Sequence, residues 1–463
     1  MSTPSKPERP RAASLYESAK KIYPREIKGR FERLSKLATY ALLGLFYIIP
    51  WLMWDERQAI LFDLPARKFY LLGLTLWPQD FIYLAWLLMM AAFSLFFFTA
   101  LAGRLWCGFA CPQTVWTEAF IWMEQWTEGT RSQRMKLDKA PWGWNKLRRK
   151  GSKQFLWITF SMWTGFTFVG YFMPIRQLGI DILDLNVAGW TLFWGLFYGF
   201  ATYGNAGYMR EQVCKYMCPY ARFQSAMFDK DTLIISYDES RGEPRGGRKR
   251  SVDRKQEGLG DCIDCRLCVQ VCPTGIDIRD GLQIECIACA ACIDACDSIM
   301  DKMDYPRGLV RYTTEHSMHG KATHVLRPRM FVYAGLLTVL MVALITSMAT
   351  RTPILLDVLR DRNTLYRELP GDVIENSYTV KVINQSNAQR EFRLTVDGVP
   401  GLTLDGVADP ITVAGGDVLS LPVRARTGRD NAYGIMNITF SVTAVDDESV
   451  SVTEDGRFLG PTP

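Results

Sequence analysis

Long apolar runs separated by polar stretches dominate the first three quarters of the chain. Each run approaches the length of about 20 residues that an α-helix needs to cross a bilayer. Tryptophan and tyrosine cluster near the ends of the runs, as at Trp51, Trp77 and Tyr208, which is typical of membrane interfaces. No soluble core of a chain this size could bury so many such helices. The pattern predicts five membrane-spanning helices, at 37–54, 81–103, 155–173, 187–208 and 330–349.

After Arg351 the pattern changes to an alternation of apolar and polar residues. Turn residues such as Asn384–Asn387, Asp397–Gly398 and Gly415–Gly416 interrupt it. An alternation of period two is typical of β-strands with one buried face. We therefore expect a small β-sandwich, and because the cysteine pair of antibody domains is missing, the residues indicate only a generic one. The predicted strands are 378–384, 391–396, 418–424 and 438–445.

The distribution of Lys and Arg predicts the orientation in the membrane. Ten precede the first predicted span and ten lie in the loop 104–154, whereas 55–80 holds three and 174–188 holds one. Cytoplasmic loops carry the excess of positive charge, so the N-terminus is expected inside and the C-terminal domain outside. The first 30 residues are polar and show no secretory signal.

These patterns divide the chain into successive regions. We expect a cytoplasmic tail at 1–33, a four-helix membrane region at 34–229, a cytoplasmic domain at 230–329, a fifth span at 330–349 and an outer β-sandwich at 350–463. The Gly-rich, charged segment 241–257 reads as a flexible linker. The net charge is only +6, and we expect no nucleic-acid partner.

Among the amino acids, cysteine has the most informative distribution, because all twelve cysteines lie between positions 107 and 296. Eight of them form two copies of C-x2-C-x2-C-x3-C, which is the spacing of a bacterial ferredoxin with two [4Fe–4S] clusters. In that pattern the fourth cysteine of each copy ligates the other cluster. We therefore assign Cys262, Cys265, Cys268 and Cys296 to cluster 1, and Cys286, Cys289, Cys292 and Cys272 to cluster 2.

Zinc and disulfides are the alternatives for these eight cysteines. Structural zinc favours paired C-x2-C knuckles rather than a triplet plus one, and disulfides require an oxidising compartment. Cluster ligands must be thiolates, so this region should face a reducing cytosol, in agreement with the charge of the loops.

A second cysteine motif occurs twice, after the second and the fourth predicted span. WCGFACP contains Cys107 and Cys111, and VCKYMCP contains Cys214 and Cys218. Because the residue before a proline resists the α conformation, Cys111 and Cys218 should lie where each helix breaks. If the two repeats pack face to face, four thiols converge.

Thiolates favour soft metals such as Cu(I), zinc or iron–sulfur groups, and we prefer copper here. A third cluster or a single iron is left open, as are four buried, unreactive thiols. Histidine occurs only at 316, 319 and 324, so a haem with two histidine ligands cannot form in the first four spans. His316, His319 and His324 are interpreted as a surface group rather than a metal site.

The combination of two CxxxCP motifs, an inserted ferredoxin segment, a last span and a β-sandwich resembles the CcoG/FixG/RdxA family of bacterial inner-membrane proteins. The resemblance covers nearly the whole chain and implies that the C-terminal β-sandwich is Ig-like. It implies a role in assembly of the cbb3-type cytochrome c oxidase and reduction of Cu(II) to Cu(I), with copper at Cys107, Cys111, Cys214 and Cys218.

Implied partners are membrane lipid, oxidase assembly factors, a copper chaperone or exporter, and a cytosolic electron donor; a homodimer is left open. Two alternatives stay open beside this hypothesis. One is an electron conduit to the quinone pool, as in the NapH/NosR relatives, and the other is a scaffold without catalysis.

Overall fold

We analysed a computed structural model that describes residues 21–252, 257–362, 364–386 and 388–462. Most of the predicted tail, part of the predicted linker and Asn387 of the first predicted turn lie outside the described residues. The chain forms two compact units, one of Met1–Gly73 with Pro78–Leu340 and one of Leu74–Trp77 with Met341–Pro463.

The apolar runs all form helices, and further helices connect them. The helices are α1 (Arg30–Ile48), α2 (Phe81–Ala102), α3 (Leu105–Phe109), α4 (Pro112–Glu128), α5 (Arg131–Lys139), α6 (Trp144–Val169), α7 (Ile175–Leu183), α8 (Gly189–Thr202), α9 (Pro219–Met227), α10 (Glu239–Gly242), α11 (Leu267–Val271), α12 (Ala291–Met303), α13 (Glu315–Met318) and α14 (Pro328–Ala349). Two π-helical segments, Tyr203–Met209 and Val213–Met217, lie between α8 and α9.

In the described part of the chain, three helices are long and apolar enough to cross a membrane: Arg30–Trp51, Phe81–Ala102 and Pro328–Ala349. They overlap the predicted spans 37–54, 81–103 and 330–349. The prediction of a five-span bundle is not confirmed as a whole. The reason is that α8 is only 14 residues long before it widens into a π-helix, and α6 begins with the charged residues of 146–150.

The sequence analysis treats the stretch 104–154 as a loop, but α4 and α5 occupy much of it. A ring of ion pairs holds these helices to α6 and to the first π-helix. Glu124 lies 2.9 Å from Arg210 and 3.3 Å from the buried Arg134, and Glu128 lies 2.9 Å from Lys150. Several charges of this stretch are therefore paired inside the protein, although others such as Arg148 remain exposed.

The cysteine-rich domain is built on a two-stranded sheet and two helices. Strand β6 (Ile234–Tyr237) pairs antiparallel with β7 (Val310–Thr313), and α11 packs against α12. The described part of 241–257 is not a free linker. Arg241 pairs with Asp261 at 2.6 Å, and Arg248 donates to the carbonyl of Gly260 at 2.5 Å, so this segment packs on the domain.

Short strands also connect α1 and α2, and they were not predicted. They are β1 (Met53–Trp54), β2 (Arg57–Gln58), β3 (Ile60–Asp63), β4 (Lys68–Leu71) and β5 (Leu74–Leu76). Strands β1 and β2 pair antiparallel, as do β3 and β4.

The C-terminal unit is a β-sandwich of two antiparallel sheets around one apolar core. The first sheet has the order β12-β14-β10-β8 with β9 beside β10, and the second has the order β13-β11-β15-β16. All four predicted strands are confirmed, as parts of β10, β11, β14 and β15, and the last of them was predicted one residue beyond the end of β15. The strands are β8 (Ile354–Arg360), β9 (Arg367–Leu369), β10 (Val373–Asn384), β11 (Arg390–Asp397), β12 (Thr403–Asp405), β13 (Ile411–Val413), β14 (Val418–Gly428), β15 (Ile435–Ala444) and β16 (Ser451–Leu459).

Candidate iron–sulfur and CxxxCP sites

The cysteine-rich domain contains two small cavities with mainly apolar walls, and each is lined by one of the predicted ligand sets. Besides Cys268, which borders both, the two cavities share no cysteine. The first is lined by Cys262, Cys265, Cys268 and Cys296, and the second by Cys272, Cys286, Cys289 and Cys292. The fold therefore places the fourth cysteine of each motif beside the other triplet, as the crossed assignment requires.

The backbone of the two cysteine loops follows the same path. Asp264 and Arg266 in the first loop and Ala288 and Ala290 in the second have positive φ angles between 50° and 62°. These residues stand at matching positions, two after the first cysteine and one after the second. Left-handed residues in such turns direct successive backbone N–H groups into a concave nest that holds anions. The repeated conformation suits a negatively charged iron–sulfur group in each cavity.

The thiols of both sets lie in surroundings that disfavour free thiolates. Burial raises the pKa of Cys268 to about 11 and that of Cys296 to about 12, and burial also raises the pKa of Cys289 and Cys292. Iron provides the positive charge that stabilises such thiolates. None of the twelve cysteines is in a disulfide. Four thiols per cavity, three from the adjacent loop and one from the other motif, fit a [4Fe–4S] cluster in chemistry and number.

The CxxxCP motifs form two matching helix starts. Cys111 is the N-cap of α4 and Cys218 is the N-cap of α9, both with extended backbone and with proline as the first helical residue. The predicted helix breaks are thus confirmed. Burial and the charge of Cys111 raise the pKa of Cys107 to about 12, and burial, Cys111 and Cys218 raise that of Cys214 to about 11. The four thiols are therefore electrostatic neighbours.

A close contact joins the CxxxCP region to the loop of cluster 2. A Cβ atom on Gly108 would lie 2.8 Å from the carbonyl oxygen of Ala288, so only glycine allows α3 to approach this loop so closely. Arg104, which is 5% exposed, donates to the carbonyl groups of Ile284, Cys286 and Ala221. Cluster 2, rather than cluster 1, thus lies next to the CxxxCP thiols.

Gln224 is a further buried group beside these thiols. Cys107 Sγ donates to Gln224 Oε1 at 3.4 Å, while Gln224 Nε2 has no hydrogen-bond partner among the described residues. The amide can therefore donate to a sulfur atom once Cys107 has lost its proton.

Within the described residues, no three His, Cys, Asp or Glu side chains are close enough to hold a single metal ion. The eight ferredoxin cysteines are also too far apart for a single ion, because a cubane cluster holds its four thiolates farther apart than one ion does. The convergence of the four CxxxCP thiols on one ion, which the sequence analysis considered, is therefore not confirmed, and at most two of them could share an ion. His316 instead contacts Asp231 at 2.8 Å, and Asp231 also accepts the backbone N–H of His324.

The sequence analysis overlooked Arg104, Gly108 and Gln224, and it overlooked Arg210 as the partner of Glu124. One signal was available, since Arg104 and Arg210 are each the first charged residue after an apolar run. A charge at that position can remain close to buried neighbours. The roles of Gly108 and Gln224 depend on contacts between distant segments and have no local signature.

Comparison with known families agrees with this architecture. Residues 209–315 match the profile of a 4Fe-4S dicluster domain and residues 83–129 that of a 4Fe-4S binding domain. Residues 344–461 match the Ig-like fold at the C-terminal of FixG, whose description also names an oxidoreductase. The crystal structure of a FixG-related protein from Vibrio parahaemolyticus covers 24% of this chain and 98% of its own, with 32% identity and a TM-score of 0.22.

Three relatives align with most of the chain. The nitrogen fixation protein FixG of Rhizobium meliloti is 39% identical over 84% of this chain and 82% of its own. Protein RdxB of Cereibacter sphaeroides is 40% identical over 87% of each chain, and protein RdxA of the same organism is 38% identical over 91% of this chain and 93% of its own.

The two cluster cavities, the apolar helices and the Ig-like unit define a membrane-associated iron–sulfur redox protein. The chain belongs to the FixG/RdxA family.

Proposed function

We propose that this protein reduces Cu(II) to Cu(I) at the CxxxCP thiols with electrons from its iron–sulfur clusters. The observation that carries the proposal is the contact of the cluster 2 loop with α3, through Gly108 and Arg104. This contact brings a one-electron carrier next to a group of soft thiols. Bound in their cavities, the two clusters would supply electrons one at a time.

The residues around the CxxxCP motifs have separate tasks in this proposal. A pair of cysteine thiols loses its protons to water and binds copper as thiolates, which favour Cu(I). The reaction then needs one electron for each Cu(II) ion and forms no other bond. Arg104 favours the thiolate form of Cys107 and Cys214 by its charge, and Gln224 is placed to donate an N–H to Cys107.

The test is a single-turnover assay on anaerobically purified protein whose clusters have been reduced with dithionite and then desalted. Addition of Cu(II) should reoxidise the clusters and form Cu(I), which bicinchoninate detects as a coloured complex. The quadruple variant C107S/C111S/C214S/C218S should keep its cluster EPR signals and lose Cu(I) formation. Undiminished Cu(I) formation in that variant would show that these thiols are not the site of copper reduction.

We further propose that Cu(I) passes to a copper chaperone or exporter that serves the assembly of a cbb3-type oxidase in the bacterial inner membrane. Support comes from the family relationship and from the thiolate ligands, which exchange soft metals among themselves. In cells, the quadruple Ser variant should accumulate oxidase that lacks copper. Normal copper content in that oxidase would contradict this role.

A further inference from the structure

A cavity of about 220 Å³ lies between α4, the start of α1 and the cluster 2 loop. Its wall includes Cys289, a predicted ligand of cluster 2, and Cys214 of the second CxxxCP motif. The segment 22–28 also lines it, as do Ser35 and Lys36 at the polar end of an apolar helix. An occupant of this cavity would therefore be close to both redox sites and near the level of a membrane surface.

Apolar and charged side chains both line the cavity, and the charged ones are Arg25, Glu26, Lys28, Glu32, Lys36, Glu118, Arg210 and Glu211. Ile121, Ile287 and Trp122 contribute apolar surface. Glu118 accepts the indole N–H of Trp122 at 3.1 Å and makes no ion pair among the described residues. The nearby Lys36 is paired with Glu32. Burial raises the pKa of Glu118, which brings this carboxylate closer to the range in which it can take up and release a proton.

Neither of the predicted redox centres uses such a proton acceptor. Transfer of an electron to Cu(II) requires no proton at this position. A hydroquinone, in contrast, gives up two electrons and two protons when it becomes a quinone. The volume of the cavity distinguishes between carriers of two electrons and two protons. Drug-sized pockets span about 300–1,000 Å³, so this smaller cavity suits a single ring rather than a three-ring flavin.

We propose that this cavity binds the ring of a hydroquinone-type electron donor and that Glu118 accepts one of its two protons. The second proton goes to water, and the two electrons go to the groups held by the two cysteine sets. This inference concerns the source of the electrons and rests on the proposed function only for their destination. It names a lipid-soluble donor, whereas the resemblance implied a cytosolic one and left a link to the quinone pool as an alternative.

Binding provides a readout that is independent of electron transfer. Oxidised decylubiquinone should quench the fluorescence of Trp122. The quenching should therefore be smaller in W122F than in wild type. The variant T117W places an indole in the cavity and should abolish binding of the quinone. Equal quinone affinity in wild type and T117W, at equal iron content, would overturn the assignment of the cavity.

Electron transfer is then followed as bleaching of the iron–sulfur absorbance by decylubiquinol. The variant E118Q keeps the size of the side chain and an oxygen for Trp122, and its bleaching rate should fall by about 100-fold, a typical loss for a removed proton acceptor. The exposed Glu239 provides the control, since E239Q should behave as wild type. Dithionite should reduce all variants equally.

The outcomes separate this inference from the proposed function. Failure of the quinol to bleach wild type, or an unchanged rate in E118Q, contradicts the quinol site even if dithionite-reduced protein still forms Cu(I). Bleaching by quinol without any Cu(I) formation supports the quinol site and contradicts copper reduction.

Discussion

At the scale of single residues, Arg104 is the most informative side chain. It is buried, and no carboxylate among the described residues pairs with it. An isolated buried charge is costly, so its hydrogen bonds to the carbonyl groups of Ile284, Cys286 and Ala221 must compensate. Arg104 thus joins the cluster 2 loop to α9.

Replacement of Arg104 by methionine should loosen the cluster 2 loop. Hydrogen bonds to a charged group contribute about 1.5–3 kcal/mol each, so R104M leaves carbonyl groups without their donor and weakens the protein by a comparable amount. We expect about half of the iron to be lost on gel filtration while the EPR signal of cluster 1 remains. The exposed Arg148 offers a matched control, and R148M should retain full iron. A full iron content in R104M would show that the cluster 2 loop keeps its conformation without the hydrogen bonds of Arg104.

Gln224 tests whether Cys107 acts as a metal ligand. In Q224L the side chain keeps its approximate size but cannot donate to a thiolate. Loss of such an outer hydrogen bond typically costs about 10- to 100-fold in metal affinity. The Cu(I) affinity, measured by competition with bicinchoninate, should fall within that range, whereas the iron content should not change. An unchanged Cu(I) affinity would argue against Cys107 as a copper ligand.

At the scale of elements, the first apolar helix begins on the cluster domain. The side chain of Asp294, between two cluster cysteines on α12, accepts the backbone N–H groups of Phe31 at 3.3 Å and Glu32 at 2.8 Å. A Cβ on Gly29 would lie 2.1 Å from the Asp294 carboxyl carbon. Helix α1 is therefore capped by a residue about 260 positions away, and the membrane region and the cluster domain share one unit.

Loss of this cap should fray α1 without affecting the clusters. Substituting a capping residue by alanine costs about 1 kcal/mol, so D294A should increase amide hydrogen exchange in the first turn of α1. Mass spectrometry of residues 29–34 provides the measurement. The exposed Asp280 serves as control, and D280A should leave that exchange unchanged. Equal protection in D294A would mean that packing alone holds the helix.

The ion pairs around α4 predict how stability depends on pH. Burial by itself would raise the pKa of Glu124, but the charges of Arg210, Lys21 and Arg134 outweigh it and hold the pKa below its ordinary value of 4.5. The unfolded chain therefore binds this proton at a higher pH than the folded protein. The stabilisation is fully present above pH 4.5 and is lost as the pH falls through the lowered pKa.

The variant E124Q should remove this stabilisation and leave Arg134 buried without its partner. Breaking a buried ion pair on one side costs about 3–5 kcal/mol. The unfolding midpoint should fall strongly at neutral pH and should depend less on pH below about pH 5 than that of wild type. The exposed Glu56 supplies the control E56Q. A parallel pH dependence in wild type and E124Q would assign the acid sensitivity to other carboxylates.

At the scale of the whole molecule, the arrangement of the sites sets an order for electron transfer. Cluster 2 contacts the CxxxCP region, while the cavity of cluster 1 is lined by Tyr237 and Met300 of the cluster domain itself. Electrons held at cluster 1 should therefore leave through cluster 2. Two one-electron clusters can together take up what a hydroquinone delivers.

Variants that remove one cluster at a time should reveal this order. In a single turnover, dithionite-reduced wild type should form about two Cu(I) per protein, since each cluster releases one electron. The variant C262A, without cluster 1, should form about one, and C286A, without cluster 2, should form almost none. EPR on the same samples confirms which cluster remains. A full yield in C286A would mean that electrons leave directly from cluster 1.

Local spacing was enough to assign the eight cluster cysteines and the helix breaks at Cys111 and Cys218. Cluster ligation depends on residues within short loops, and a proline acts on the residue before it. The strands of the sandwich were equally visible where they alternate, as in β10. The strand β16 was missed because charged residues 454–457 interrupt its pattern.

Hydrophobicity alone did not show where α6 and α8 begin and end, and it missed the helices in the stretch 104–154. It also gave no sign that Glu124 and Arg134 are buried as partners of each other. Whether a charge is exposed depends on which distant segment packs against it, and the neighbouring residues in the sequence do not determine that.

The sequence by itself determined the two ligand sets, the family and the β-sandwich, because short-range spacing and hydrophobic period carry that information. Only the tertiary structure decided which cluster faces the CxxxCP thiols, that Arg104 and Gln224 surround Cys107, and that Glu118 and Cys289 share a cavity. These facts depend on contacts between residues far apart in the chain, which exist only once the helices have packed.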